Sequence, residues 1–148
     1  MTTLKEGDKA PAISGIDQSG KAISLDQYKG KKVILYFYPK DATPGCTAQA
    51  CNLRDHYESL IAEGFDVIGV SPDSDKSHQK FIEKQSLPFR LLADTDTSVA
   101  RAYGVWGPKK FMGKEYDGIH RTTFIINNGK IEKVITKVDT KDHVSQIR

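Results

Sequence analysis

The spacing of apolar residues changes along this chain, and each change predicts an element. A continuous apolar run at 33–38 ends at Pro39, which suits a buried strand. Apolar side chains then recur at helical spacing from 44 to about 63, and Gly64 supplies a stop signal. A second apolar run, at 65–70, predicts a second strand. The first half of the chain therefore predicts a strand, a long helix and another strand.

The pattern continues with a second helix at 75–85, where His78 shares the apolar face and is interpreted as a packed or rim histidine. Residues 91–92 predict a strand that is short at best. Asp94 and Asp96 precede a short helix, and we interpret both carboxylates as helix caps rather than metal ligands.

The last third of the chain predicts a loop, a hairpin and a short helix. Glycine and proline are frequent at 104–118, which predicts a long loop that either covers a functional site or simply packs. The runs 122–126 and 131–136, joined by Asn127–Lys130, carry a strong hairpin signal. A final helix is expected to begin near Thr140.

The N-terminal residues 1–32 read as an extended lead-in around a turn at Ser19-Gly20. Strand, helix, strand, helix and hairpin, in that order, resemble a thioredoxin-like α/β sandwich, with a mixed central sheet and helices on both faces. A chain of 148 residues with 38% hydrophobic content is the size of one domain, so we expect a single domain over 1–148.

Composition narrows the class of partner. The chain has 22 basic and 19 acidic residues, and they are interspersed. Short clusters such as Lys109-Lys110 are interpreted as solvated surface rather than a nucleic-acid patch. The opening residues lack the apolar core of a secretion signal and no stretch is long enough to span a membrane, so we expect a cytoplasmic protein without membrane contact. Two cysteines in such a compartment favour catalysis or metal binding over a structural disulfide.

One cysteine has a sequence context that predicts reactivity. Thr43 can cap a helix, Pro44 suits its first position, and Gly45 adds no side chain. Cys46 then falls in the first turn, where free N–H groups and the helix dipole favour negative charge. Such an environment lowers the pKa of a thiol and raises the fraction of nucleophilic thiolate. A buried structural cysteine is the alternative interpretation.

Pro39, Thr43 and Cys46 form the spacing Pro-x-x-x-Thr-x-x-Cys, which resembles the active-site motif of the peroxiredoxins. The strings Phe37–Asp41 and Thr43–Thr47 are similar to the bacterioferritin comigratory protein, or peroxiredoxin Q, subfamily. The similarity extends over most of the chain, from Gly7–Pro11 to Arg121–Ile126.

The resemblance implies a role for each site residue. Cys46 would be the peroxidatic nucleophile, converted by a hydroperoxide to sulfenic acid. Thr43 would orient peroxide and thiolate, and Arg121 would stabilise the thiolate and the leaving oxygen. Pro39 would shield the sulfur from water. The simpler roles are a helix cap for Thr43, a surface residue for Arg121 and a strand terminator for Pro39; His120 is interpreted as structural.

Cys51 lies five residues after Cys46, a spacing that in this family marks a resolving cysteine in the same chain. On an ideal helix such positions are rotated by about 140° and separated by about 8 to 9 Å between Cα atoms. A disulfide needs Cα atoms roughly 4.4 to 6.8 Å apart. We therefore predict that residues 43–51 unwind before a bridge forms. Cys51 as a bystander, with an external thiol resolving the sulfenic acid, is the alternative.

The resemblance implies thioredoxin or a similar dithiol as reductant, hydroperoxides as substrates, no cofactor and no metal. Because resolution within one chain needs no second subunit, we expect a monomer. A thioredoxin-like protein disulfide oxidoreductase is the alternative function, although it would normally carry Cys-x-x-Cys. A metal site could use Cys46, Cys51 and His56, but these do not share one helix face. A non-catalytic binding domain would not need Thr43, Cys46 and Arg121 together.

Overall fold

A seven-stranded mixed sheet organises the computed structural model, which describes residues 2–148. The strands in chain order are β1 (Gly15–Asp17), β2 (Ala22–Ile23), β3 (Lys32–Phe37), β4 (Phe65–Ser71), β5 (Arg90–Ala93), β6 (Trp106–Phe111), β7 (Lys114–Ile119), β8 (Thr122–Asn127) and β9 (Lys130–Ile135). The helices are α1 (Pro44–Asp55), α2 (Tyr57–Ala62), α3 (Asp75–Gln85), α4 (Ser98–Ala102) and α5 (His143–Ile147), with a 3₁₀ helix at Leu25–Tyr28. The main sheet has the order β2-β1-β5-β4-β3-β8-β9, and β6 and β7 form a separate hairpin.

Strand β3 is buried on both faces, which explains its continuous apolar run. It pairs in parallel with β4 and antiparallel with β8. Its side chains alternate between two hydrophobic cores: Val33, Leu35 and Phe37 enter one, and Ile34 and Tyr36 enter the other. Because period-two alternation places neighbours on opposite faces, one strand supplies both cores.

Helices cover both faces of the sheet, as the sequence predicts. The core that contains Tyr36 also contains residues of α1, α2, α3 and α5, whereas the opposite core contains residues of α4 and the 3₁₀ helix. The prediction of an α/β sandwich with a mixed sheet is therefore confirmed. No helix within residues 2–148 combines the length and the apolar character needed to cross a membrane.

The predicted continuous helix from 44 to 63 is wrong, because the helix is interrupted at His56. Nδ1 of His56 lies 2.9 Å from the carbonyl oxygen of Asn52, four residues earlier. The ring thus contacts the carbonyl that the helical ladder would use. Two shorter helices, α1 and α2, result, and α1 alone contains both cysteines.

The predicted loop at 104–118 is also wrong, because β6 and β7 pair along it as a hairpin. The turn is formed by Met112 and Gly113, both with positive φ, at 52° and 80°. Two consecutive positive φ values suit a tight hairpin turn, but methionine is a rare first residue of such a turn. The strand at 91–92 is longer than predicted and spans Arg90–Ala93.

Other predictions agree closely with the structure. The second helix spans Asp75–Gln85, and Asn128-Gly129 form the turn between β8 and β9 with positive φ values. The lead-in contains β1 and β2 on either side of its predicted turn, but its extended character is wrong at residues 25–28, which form the 3₁₀ helix. The last helix begins at His143, three residues later than expected near Thr140.

Candidate active site

The end of β3 and the start of α1 deliver Cys46 to the edge of the core. Thr43 occupies the N-cap position with extended φ and ψ, and its carbonyl accepts the first helical hydrogen bond, from Thr47 at 2.8 Å. The Thr43 hydroxyl forms no capping bond; it donates instead to the Lys40 carbonyl at 2.9 Å. The predicted position of the cap is thus correct, but the side chain serves the preceding loop.

Arg121 reaches Cys46 from a distant part of the sequence. Its Nη2 lies 3.3 Å from the Cys46 sulfur. The antiparallel register pairs Phe37 at the end of β3 with Thr122 at the start of β8, so residue 121 comes to the end of the strand where α1 begins. A guanidinium that donates to sulfur stabilises negative charge there. The structure therefore brings together two residues that the resemblance had linked.

Gln49 orients Arg121, and sequence analysis missed it. Its Oε1 accepts from Arg121 Nη1 at 2.8 Å, and the side chain is fully buried one turn after Cys46. The sequence does contain a signal for Gln49: it lies three residues after Cys46, and residues three apart on a helix share a face. Gly45 also permits this approach, since a Cβ there would lie 3.3 Å from Arg121 Nη2.

Pro39 borders a cavity of about 320 Å³ between the β3–α1 loop and the β6–β7 hairpin. Trp106, Lys109, Tyr116 and Ile119 also line it.

Lys109 is half-buried and donates to the Ile119 carbonyl at 2.8 Å, so its interpretation as solvated surface is wrong. Burial, together with the nearby positive charge of Arg121, lowers the pKa of Lys109.

Cys46 itself is 1% exposed, whereas Cys51 is half-buried, and both thiols are free. The Cys51 sulfur contacts Gln85 Oε1 of α3 at 3.4 Å. Both cysteines lie within one uninterrupted helix, α1. A bridge between the two sulfurs therefore cannot form while α1 remains helical from Cys46 to Cys51.

The predicted metal alternative gains no support from the geometry. Within residues 2–148, one group of three acidic or histidine side chains places potential ligand atoms within 4.8 Å, namely Asp41, Asp73 and His78. It includes neither cysteine, and its polar atoms already bond one another and neighbouring groups.

Asp94, Asp96 and His120 all bond to backbone groups. Asp94 accepts from the backbone of Val99 and Ala100, and Asp96 accepts from that of Ser98, so both act as caps. His120 contacts the Pro108 carbonyl at 3.0 Å.

Comparison with known proteins places this geometry in a family. The AhpC/TSA family model matches residues 6–134. The putative peroxiredoxin bcp of Haemophilus influenzae is 51% identical over 148 residues, which cover 99% of this chain and 96% of that protein. Peroxiredoxin Bcp of Escherichia coli K12 is 49% identical, covering 97% of this chain and 92% of its own.

Solved structures of the same group of proteins share the fold of this chain. A structure of Xanthomonas campestris peroxiredoxin Q superposes with a TM-score of 0.87 at 31% identity, covering 99% of this chain and 93% of that one. A second structure, of the Xanthomonas campestris bacterioferritin comigratory protein and named for its alkyl peroxide reduction activity, gives a TM-score of 0.87 at 30% identity, covering 99% and 94%. The thioredoxin-like fold inferred from sequence is therefore confirmed. The chain belongs to the AhpC/TSA family, within which it is a peroxiredoxin of the Bcp and peroxiredoxin Q group and hence a thiol-dependent peroxidase.

Proposed function

We propose that Cys46 is the peroxidatic cysteine and that the protein reduces hydrogen peroxide and organic hydroperoxides with it. The thiolate sulfur attacks one peroxide oxygen, the O–O bond breaks, and the sulfur becomes a sulfenic acid. The other oxygen leaves with the bonding electrons and takes a proton to become water or an alcohol. The observation that carries the proposal is the 3.3 Å contact between Arg121 Nη2 and the Cys46 sulfur at the start of α1.

Arg121 and Thr43 are proposed to hold the peroxide. Arg121 can donate to the departing oxygen, whose negative charge grows in the transition state. The Thr43 hydroxyl donates its hydrogen bond to the Lys40 carbonyl, so its oxygen lone pairs can accept from the peroxide O–H. Because Cys46 is almost fully covered, we propose that the substrate approaches from the cavity beside Pro39.

The lining of that cavity supports organic as well as inorganic peroxides. Trp106, Tyr116 and Ile119 offer apolar surface for an alkyl group. The structural neighbour named for alkyl peroxide reduction supports the same substrate class for this chain.

Cys51 is proposed to resolve the sulfenic acid. Its thiolate attacks the Cys46 sulfur, the S–OH bond breaks, and the departing hydroxide takes a proton to become water as an intrachain disulfide forms. Since the two residues lie on α1, residues 43–51 must unwind first. A dithiol of the thioredoxin type then reduces the disulfide by thiol exchange. No cofactor or metal is required for this cycle, and it can be completed within one monomer.

Mass spectrometry after one equivalent of peroxide tests these roles. The wild-type protein should lose two hydrogens, Cys51→Ser should accumulate a sulfenic acid that dimedone traps, and Cys46→Ser should not react. A wild-type protein that consumes peroxide without a Cys46–Cys51 bridge would contradict the resolving role. Measured insulin reduction at a rate above that of peroxide reduction would favour the disulfide oxidoreductase instead.

A further inference from the structure

The loop that leads from β3 into α1 is anchored by a buried aspartate that the proposed chemistry does not use. The backbone N–H of Asp41 donates to Asp73 Oδ2 at 2.7 Å. Its carboxylate accepts from the Tyr38 hydroxyl at 2.6 Å and from the Ser77 hydroxyl at 2.9 Å. Asp41 is only 7% exposed, so these bonds form away from bulk water.

The fourth contact of Asp41 is a histidine in α3. His78 Nδ1 lies 2.7 Å from Asp41 Oδ2, and its Nε2 lies 2.9 Å from the Leu92 carbonyl. A carbonyl only accepts, so Nε2 carries a hydrogen, and one further proton lies between Nδ1 and Oδ2. Both ring nitrogens of His78 therefore have a hydrogen-bonding partner, although the side chain is completely buried. Sequence analysis recognised the packed histidine but not this partner.

The residues that follow Asp41 show what the anchor determines. Ala42 has φ of 64°, a left-handed conformation that a residue with a Cβ adopts only where its surroundings impose it. This bend directs Thr43 back toward the Lys40 carbonyl and sets the direction in which α1 starts. Asp41 is therefore linked through two peptide units to the hydroxyl and the helix terminus next to Cys46.

We propose that the Asp41–His78 pair is a positioning unit for the active site: it fixes the bend at Ala42, and thereby Thr43 and the first turn of α1, against α3. The inference rests on the proposed role of Cys46. Neither residue touches the peroxide or the sulfur. Asp41 precedes the segment 43–51 and is held by His78 of α3, so the loop end stays fixed to α3 while that segment unwinds and refolds.

Stopped-flow fluorescence of Trp106 offers a test that separates positioning from general stability. Trp106 is the one tryptophan of the chain and lines the same cavity as Pro39. Oxidation of Cys46 should appear as a phase whose rate rises with peroxide concentration, and resolution by Cys51 as a phase that does not depend on it.

Asp41→Ala should slow the peroxide-dependent phase by about tenfold to a hundredfold, because small displacements of reacting groups cost that much. The resolution phase should not slow. Asp41→Asn should recover most of the rate, because its amide can donate to Nδ1 of neutral His78 and still accept from Tyr38. Ser77→Ala, which removes one donor at the edge of α3, should slow the same phase to a smaller extent and serves if Asp41→Ala does not fold.

Asp94→Ala is the matched control, since Asp94 is an equally buried carboxylate that caps α4 and does not contact the loop. It should lower the melting temperature without changing the peroxide-dependent rate of the folded protein. Unchanged oxidation in folded Asp41→Ala or Ser77→Ala would overturn the positioning role while leaving the proposed function intact. Failure of wild-type Cys46 to react would overturn the proposed function itself.

Discussion

The two cysteines of α1 lie in opposite environments. Cys46 is 1% exposed, at the helix start, and its sulfur receives a hydrogen bond from Arg121, the residue before β8. Cys51 is half-buried in the middle of the helix, and its sulfur contacts Gln85, the last residue of α3. One sulfur is held by the half-buried guanidinium of Arg121, and the other lies between α1 and α3.

The difference suggests how one short helix can serve two steps. A reactive thiolate gains from fixed donors, because they need not reorganise during the reaction. A resolving thiol must instead travel, and partial exposure lowers the burial that its release sacrifices. The surroundings of Cys46 should therefore control oxidation, and those of Cys51 should control the opening of α1.

Arg121→Met should produce the largest effect, a loss of rate in the oxidation of Cys46. It removes the donor at 3.3 Å from the Cys46 sulfur, and loss of one such donor typically costs about a hundredfold to a thousandfold in rate. The peroxide-dependent phase should slow by that factor, measured by stopped-flow at fixed pH, while the resolution phase is unaffected.

Two further variants sharpen that result. Gln49→Leu keeps the guanidinium but removes its 2.8 Å partner, so an intermediate slowing is expected. Arg90→Met is the control, because Arg90 bonds Asp17 elsewhere in the sheet. Equal rates for Arg121→Met and Arg90→Met would show that the guanidinium does not assist the reaction.

Local sequence signals predicted the elements that carry the site. Pro44 after Thr43 located the start of α1, and the apolar run of β3 located the strand before it, because both signals depend on neighbours in sequence. The hairpin turn at Asn128-Gly129 was predictable for the same reason.

Contacts that depend on tertiary structure could not be predicted from the local pattern of the sequence. Arg121 was placed beside Cys46 by resemblance, and only the β3–β8 register provides the physical reason. The pairing of Asp41 with His78 joins residues 37 positions apart, so no periodicity reveals it. The break at His56 follows from one side chain that contacts a backbone carbonyl, which helix propensity does not detect.

Asn52→Ala should have a moderate effect, on the Cys51 side. Asn52 Oδ1 accepts from the backbone N–H of Val144 at 2.9 Å and so ties α1 to α5. If opening of α1 breaks this bond, its removal lowers the free energy of opening by about 1 kcal/mol. The resolution phase should then quicken by about fivefold, while the peroxide-dependent phase keeps its wild-type rate.

Ser145→Ala provides the matched control, because Ser145 is exposed on α5 and its hydroxyl donates to Asp142. It should leave both phases unchanged. Resolution as slow in Asn52→Ala as in wild type would mean that opening of α1 does not separate it from α5.

The smallest expected effect is a pH dependence of the same α5 contact. His143 contacts Thr123 Oγ1 and Gln146 Oε1, both at 2.8 Å. Burial, with a smaller contribution from the positive charge of Arg121, lowers the pKa of His143 against the opposing hydrogen bond to Gln146. Below the ordinary pKa of 6.5 the unfolded chain therefore binds a proton that the folded chain does not. The free energy of unfolding should fall as the pH drops from about 6.5 toward the lowered pKa.

His143→Gln removes this titration, so its free energy of unfolding should fall less than that of wild type over the same window, measured by urea denaturation at each pH. His120→Gln, which changes a histidine in the segment between β7 and β8, should retain the wild-type pH dependence of the free energy of unfolding.

Hydrogen exchange at Val144 tests whether the same protonation loosens the contact between α5 and the Cys51 half of α1. Because Val144 donates to Asn52, mild acid should lower the protection factor of this amide, the ratio of the exchange rate in an unstructured chain at the same pH to its own rate, more in wild type than in His143→Gln. Equal acid sensitivity of the two proteins would show that protonation of His143 does not weaken the hydrogen bond that ties the Cys51 half of α1 to α5.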